Sequence, residues 1–140
     1  MRLSPAAEFG IRGVAVLAEE YGRGPIPLEA ICQRRQGLSR EYLVKIFGSL
    51  VKAGIVRTVR GKKGGFLLAR EPGDITLLEV IEAIEGRIAL NYCQHEPPRC
   101  DEVDCPLRKM WTELQHIVRD KLGSVTLATC TASDTHDQAD

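Results

Sequence analysis

The sequence predicts a mainly α-helical domain that carries one small β-hairpin. Apolar residues recur at three- and four-residue spacing along several segments, and two β-prone segments are joined by a Gly-Lys-Lys-Gly tip. A length of 140 residues suits one domain with an extension. No run is apolar enough to span a membrane and the N-terminus lacks a signal-peptide core, so we expect a cytoplasmic protein without a membrane partner.

The net charge of zero conceals an uneven distribution along the chain. Residues 1–70 carry 13 Lys/Arg and 5 Asp/Glu, whereas residues 71–140 carry 6 Lys/Arg and 14 Asp/Glu. A basic half of this kind suits a polyanion, because lysine and arginine replace the counterions condensed on phosphates. An ordinary solvated charged surface is the alternative.

A helix-turn-helix is predicted in the basic half, after a first helix at about residues 4–21. A short helix from Pro27 ends at Gly37, and a second helix capped by Ser39 runs to about Ala53. In such a motif the N-terminal residues of the second helix meet base edges in the DNA major groove. The candidate base or phosphate contacts on this helix are Ser39, Arg40, Glu41, Tyr42 and Lys45.

The β-prone residues 55–60 and 65–68 form the predicted hairpin. A basic, glycine-rich hairpin directly after a helix-turn-helix is typical of the wing of a winged helix, although an ordinary exposed hairpin would look similar. Arg60, Lys62 and Lys63 are the candidates for contacting phosphate or entering the minor groove, where the potential is negative. We therefore predict a DNA-binding winged helix-turn-helix over residues 1–72, with a double-stranded DNA operator as its partner.

The acidic half predicts two further helices. Thr76 and Glu79 form a capping box for the first, and the second is a long helix at about residues 106–122. The long helix carries an apolar strip that suits pairing with a second chain, and packing back on its own domain is the alternative. The strip comprises Leu107, Trp111, Leu114 and Val118, with Met110 and Ile117 beside them. We expect residues 73–130 to supply a ligand loop and homodimerisation helices, and residues 131–140 to be disordered.

Cys93, Cys100 and Cys105 lie within thirteen residues of a polar, proline-containing loop between these helices. Thiolates bind soft metals, and the spacing lacks the tight cysteine pairs common in zinc sites. The loop therefore favours an iron–sulfur cluster, with unliganded or redox-active thiols as the alternative. Glu8 is a candidate fourth ligand if a partner chain reaches the loop; otherwise we expect it to form a surface ion pair with Arg12.

Several motifs resemble the winged-helix regulator family of IscR, NsrR and RirA. They are Met1-Arg2-Leu3-Ser4, Ser39-Arg40-Glu41-Tyr42-Leu43, Val59-Arg60-Gly61-Lys62-Lys63-Gly64-Gly65-Phe66, Ile75-Thr76-Leu77-Leu78-Glu79-Val80-Ile81, and the three-cysteine loop before Pro106-Leu107. The resemblance covers about residues 1–128. It implies a bacterial homodimeric transcription regulator, in which a 2Fe–2S or 4Fe–4S cluster senses iron, redox or nitric oxide status and sets DNA affinity.

The resemblance also implies residue roles. Cys93, Cys100 and Cys105 would be the cluster ligands, and Glu8 matches the acidic ligand of NsrR-like members. The fourth-ligand histidine of IscR-like members is replaced here by Arg108. A cluster-free thiol- or partner-responsive regulator of the same fold is the alternative function. An enzyme is not expected, because no nucleophile–base arrangement or nucleotide loop is present.

Overall fold

The computed structural model describes residues 2–131, and the mainly α-helical architecture with one hairpin is confirmed. The elements are α1 (Pro5–Glu19), α2 (Leu28–Arg34), α3 (Arg40–Lys52), β1 (Val56–Val59), β2 (Gly65–Leu68), α4 (Leu77–Glu85), α5 (Arg108–Ser124) and α6 (Leu127–Thr131). Short 3-10 helices occupy Pro72–Asp74 and Tyr92–Gln94. Within this part of the chain, no helix has both the length and the hydropathy needed to cross a bilayer.

Helices α1 and α3 cross closely in the core. The Ser4 hydroxyl caps α1 by accepting a hydrogen bond from the Ala7 amide at 3.1 Å. A Cβ atom on Gly13 would lie only 2.7 Å from the ring of Phe47, which is fully buried. A glycine in α1 thus lets the aromatic ring of α3 approach the α1 backbone. The N-terminal helix ends at Glu19, two residues before the predicted boundary.

Helices α2 and α3 form the predicted helix-turn-helix. Gly37 takes a positive φ of 81° in the turn between them, and the Ser39 hydroxyl accepts the Tyr42 amide at 3.3 Å. The apolar face of α3 is turned inward: Leu43, Ile46, Phe47 and Leu50 are all buried. The N-terminal end and opposite face of α3 are therefore left to solvent.

Strands β1 and β2 form an antiparallel hairpin in which Val56 pairs with Leu68. Phe66 extends the pairing to Ile26, with main-chain hydrogen bonds of 2.8 and 2.9 Å. A Cβ atom on Gly65 would collide with the Ile26 carbonyl, and its φ is +154°. Glycine therefore allows the wing to pair directly with the segment that leads into α2.

The C-terminal helices close over the winged helix. The predicted Thr76–Glu79 capping box is present at the start of α4. Helix α5 begins at Arg108, two residues after Pro106. Helix α6 was not predicted, because five residues are too few for a periodic pattern; it is held by Leu127, which is buried against the core. Thr131, expected in a disordered tail, ends α6, and residues 132–140 lie outside the described chain.

Candidate nucleic-acid interface and cysteine loop

The outward face of α3 presents charged groups at its N-terminal end. Arg40, Glu41 and Lys45 are exposed there, and Val44 lies between them with 48% of its surface accessible. This placement matches what a recognition helix requires, since side chains near its N-terminus reach base edges.

The side chains of Ser39 and Tyr42 already make contacts within the chain. The Ser39 hydroxyl already caps the helix, and Tyr42 is half-buried with its ring edge-on to Phe9 at a centroid distance of 5.3 Å. Both residues therefore orient the recognition helix in this structure, and only their outer atoms are left for a contact with DNA.

An acidic residue of α2 holds Arg40. The Glu29 carboxylate pairs with the Arg40 guanidinium across the helix-turn-helix. Beside them, burial raises the pKa of the Cys32 thiol, and the Glu29 carboxylate raises it further. Cys32 thus remains a protonated thiol packed against the core rather than a reactive thiolate.

Part of the basic surface is neutralised within the chain. Arg34 lies 2.8 Å from both Glu19 and Glu20 at the end of α1, and Arg35 also pairs with Glu19. These arginines tie α2 to α1. By contrast, four exposed cations of the recognition helix α3 and the wing form no ion pair within residues 2–131. They are Lys45, Arg60, Lys62 and Lys63. A positive surface is therefore left where DNA would dock.

The cysteine loop holds three half-buried thiols. Cys93, Cys100 and Cys105 form no disulfide, and the Cys93 sulfur accepts a hydrogen bond from the Gln94 amide at 3.3 Å. Their chemistry suits a thiolate-ligated cluster. Their positions in this structure do not suit such a cluster, because no three His, Cys, Asp or Glu side chains within residues 2–131 are close enough together to hold a metal.

The part of the loop that would have to move is lightly tethered. Among the described residues, no amide of residues 100–107 donates to a main-chain carbonyl. The preceding turn is firmer: the Arg99 amide donates to the Tyr92 carbonyl at 2.9 Å, and Gln94 donates to the Thr112 hydroxyl at 3.1 Å. Cys93 therefore sits on an anchored turn, whereas Cys100 and Cys105 lie in the less constrained part.

Glu8 does not form the expected ion pair. It is exposed in the first turn of α1, and no described residue pairs with it. The Arg12 guanidinium instead lies over the Phe9 ring, 5.7 Å from its centroid, because a cation is attracted to an aromatic face. The structure does not bring Glu8 together with the cysteines of its own chain.

Arg108 occupies the place that the resemblance assigns to a histidine ligand. Its guanidinium donates to the Glu102 carbonyl, and its Nε is buried without a hydrogen-bond partner among the described residues. The position therefore holds a cation that bonds to the main chain of the loop, and arginine is not a metal ligand at neutral pH.

Gln115 is a structural determinant that the sequence reasoning missed. Its side chain is 2% exposed, its oxygen accepts the Leu90 amide at 3.0 Å, and its nitrogen donates to the Ile88 carbonyl. The signal was present, since Gln115 follows Trp111 by four residues and precedes Val118 by three, inside the apolar strip. A polar residue at such a position predicts a buried hydrogen-bonding partner.

Helix α4 holds the same segment from the other side. The Glu82 carboxylate accepts the Ile88 amide at 2.8 Å and the Arg119 guanidinium at 2.5 Å. Residues 88–90, which lead into the cysteine loop, are thus fastened to α4 by Glu82 and to α5 by Gln115. We call this arrangement the loop clamp.

The strip predicted on α5 divides between two environments. Trp111 and Val118 are half-buried against the chain itself. The exposed face carries Leu107 (53% exposed), Met110 (41%), Leu114 (39%) and Ile117 (63%). Their 3-4-3 spacing forms one continuous apolar row without a partner in this structure, so both alternatives for the strip apply to different residues.

Comparison with known proteins identifies the family of the chain. The family model Rrf2, described as iron-dependent transcriptional regulator, matches residues 3–133. The HTH-type transcriptional regulator IscR of Xenorhabdus nematophila is 35% identical over 91% of this chain and 77% of its own length. The structure of CymR, the global cysteine regulator of B. subtilis, superposes with a TM-score of 0.84 at 28% identity, covering 96% of this chain and 99% of CymR. The structure of T. potens IscR superposes with a TM-score of 0.80 at 31% identity, covering 100% of this chain and 93% of that IscR chain. These relatives are regulators and not enzymes.

Proposed function

The chain belongs to the Rrf2 family of transcriptional regulators, and we propose that it is a homodimeric repressor whose operator affinity depends on an iron–sulfur cluster. The observation that carries the proposal is the cysteine loop: three half-buried thiols, free of disulfides, in a segment whose second half is lightly tethered. The description of the family model as iron-dependent supports the same choice of cofactor.

DNA binding is assigned to the exposed end of α3 and to the wing. Arg40 and Lys45 would enter the major groove, while Arg60, Lys62 and Lys63 would contact the backbone or the minor groove. Because Lys45 and the wing cations have no acidic partner among the described residues, they are available to displace counterions from phosphates.

Cys93, Cys100 and Cys105 would hold the cluster once the second half of the loop has drawn in. Glu8 would complete the ligand set from the partner subunit, since the cysteines of its own chain are not grouped with it. When bound, the cluster supplies a chemistry that responds to iron supply, redox state or nitric oxide. A carboxylate is a hard, weakly held ligand for such a centre, which suits a sensor.

The loop clamp offers the coupling between the loop and the DNA-binding surface. Glu82 and Gln115 fasten residues 88–90 to α4 and α5, and α4 packs on α1 and α3. A change in the loop would therefore shift α5 relative to α3. In a dimer this shift alters the spacing of two recognition helices, which must match two DNA half-sites.

The dimer would form through the exposed row on α5. Leu107, Met110, Leu114 and Ile117 provide a heptad-like apolar seam on a helix of 17 residues. Such a row exposed to water is costly, and a second copy of the same helix would cover it.

Iron, sulfide and zinc analysis after anaerobic purification tests the proposal. We expect iron and sulfide in the wild-type chain and their loss in the variant with Cys93, Cys100 and Cys105 changed to Ala. The matched control changes the two cysteines outside the loop, Cys32 and Cys130, and keeps the iron. Stoichiometric zinc without sulfide would make the loop a structural site. Equal operator binding by loaded and cluster-free protein would refute the sensor role.

A cluster-free regulator is the second candidate, and two observations favour it. Within residues 2–131 the thiols are not gathered into a donor group, and the chain resembles CymR, the global cysteine regulator of B. subtilis. This candidate predicts no bound iron and an operator affinity that changes when the loop thiols are oxidised. The triple Ala variant would then lose the redox response while its metal content stays at zero.

A further inference from the structure

Val44 is an exposed apolar side chain in the middle of a charged face. Val44 lies on the outer side of α3, one helical turn beyond Arg40, with 48% of its surface accessible. The core residues of the same helix point the other way, so Val44 contributes nothing to the buried cluster. Valine is also a weaker helix former than alanine or leucine, so helix propensity does not account for its place on this face.

Gly48 continues the same outer face one turn further along. It is exposed in the helix interior, and a Cβ atom there would meet no atom of this chain within 4 Å. A helical glycine costs stability relative to alanine, and no packing within the described chain requires this one. Val44 and Gly48 together form a low, apolar surface that another molecule can approach closely.

We propose that Val44 reads the C5-methyl group of a thymine in each operator half-site, with Gly48 allowing the close approach. The methyl group is the one apolar feature on base edges in the major groove, and aliphatic side chains recognise it by contact. Charge selects DNA as the occupant, because Lys45 beside Val44 and the wing cations have no acidic partner among the described residues, and they outnumber exposed Glu41 at this end of α3. The inference rests on the proposed DNA binding of α3 and names one base that this helix reads.

Replacing thymidine by deoxyuridine is the sharpest test, since it removes only the methyl group. A random duplex pool would first be selected with the full-length wild-type protein to obtain a bound sequence. Each thymine of that sequence would then be replaced in turn, and the Kd measured by fluorescence anisotropy. Burying one methyl group predicts a loss of about four-fold at the position that Val44 contacts.

The variant Val44→Ala should bind the thymine and uracil duplexes at that position equally. Val51→Ala is the matched control: Val51 is 39% exposed on the same helix, two turns further from the N-terminal reading end, and should keep the full methyl discrimination. Circular dichroism and thermal unfolding would verify that both variants fold.

Two results would overturn the inference, and they are distinguishable. If a sequence is selected but no uracil substitution weakens binding, or if Val44→Ala retains the discrimination, Val44 does not read a methyl group and the regulator function stands. If the pool yields no enriched sequence, sequence-specific DNA binding fails together with this inference.

Discussion

Replacing Gln115 by leucine removes the α5 half of the loop clamp while nearly preserving side-chain volume. Two hydrogen bonds are lost, to the Leu90 amide and the Ile88 carbonyl. Each contributes about 1 kcal/mol net, and leaving a half-buried main-chain group unpaired adds a desolvation cost. We therefore expect the free energy of unfolding to fall by about 2–4 kcal/mol.

Urea unfolding followed by circular dichroism measures this loss. With a urea m-value of about 2 kcal/mol/M, the midpoint should fall by about 1–2 M. Wild type and variants would be compared at one protein concentration, because association with a second chain adds stability. The control is His116→Leu, the same replacement at the neighbouring exposed position of α5, which should change the midpoint little.

Hydrogen exchange locates the effect. In Gln115→Leu the Leu90 amide should exchange faster, and so should the amides that follow it toward Cys93, whereas the core of α3 should change only through the global loss of stability. A variant that unfolds within about 0.5 kcal/mol of wild type would show that the clamp does not hold residues 88–90, and the proposed coupling would lose its basis.

Three further predictions concern packing, pH and association. Gly13→Ala should lower the free energy of unfolding by about 1–3 kcal/mol, because the new Cβ atom would press on the Phe47 ring. Gly48→Ala should raise it by about 0.5–1 kcal/mol, because a helical glycine costs stability relative to alanine. Thermal unfolding that shows both variants shifted in the same direction would refute this prediction. Burial alone would raise the pKa of Glu79, but main-chain and Arg70 hydrogen bonds hold it below its usual value. The stability that these bonds give is therefore fully present above the ordinary glutamate pKa of about 4.3 and is lost as the pH falls through the lower folded-state pKa, so the unfolding difference between wild type and Glu79→Gln should shrink over that range. Ile117→Glu should convert the proposed dimer to monomer in sedimentation velocity; a variant that stays dimeric would exclude the exposed row of α5 as the interface.

Local signals accounted for most of the fold. The caps at Ser39 and Thr76 depend on residues three positions apart, and the hairpin depends on a glycine-rich tip between two β-prone segments. These patterns are complete within a few residues, so the sequence displays them directly. The same holds for the inward face of α3, whose apolar spacing predicted its burial.

Long-range contacts account for what the sequence did not reveal. Helix α6 exists because Leu127 fits a core made by distant elements, and Gln115 bonds to residues 25 and 27 positions away. The expected Glu8–Arg12 pair is not formed, and the Arg12 guanidinium lies over the Phe9 ring instead. Spacing alone brings the three cysteines into one loop, yet it does not determine whether their side chains converge on one centre.

The attachment of α5 has a mechanical consequence. Its C-terminal end is joined to the segment before α4, because the Leu77 amide donates to Val125 and the Leu127 amide to Ile75, whereas its N-terminal end follows the lightly tethered loop and has no side-chain cap. The main chain therefore fixes α5 at its C-terminal end, whereas side-chain bonds such as Gln94 to Thr112 hold its first turns. Its 17 residues span about 25 Å, so a tilt of about 10° would carry the N-terminal end through roughly 4 Å. Because the cysteine loop directly precedes this N-terminal end, a contraction of that size around the cysteines would tilt the whole helix, and the exposed apolar row would tilt with it.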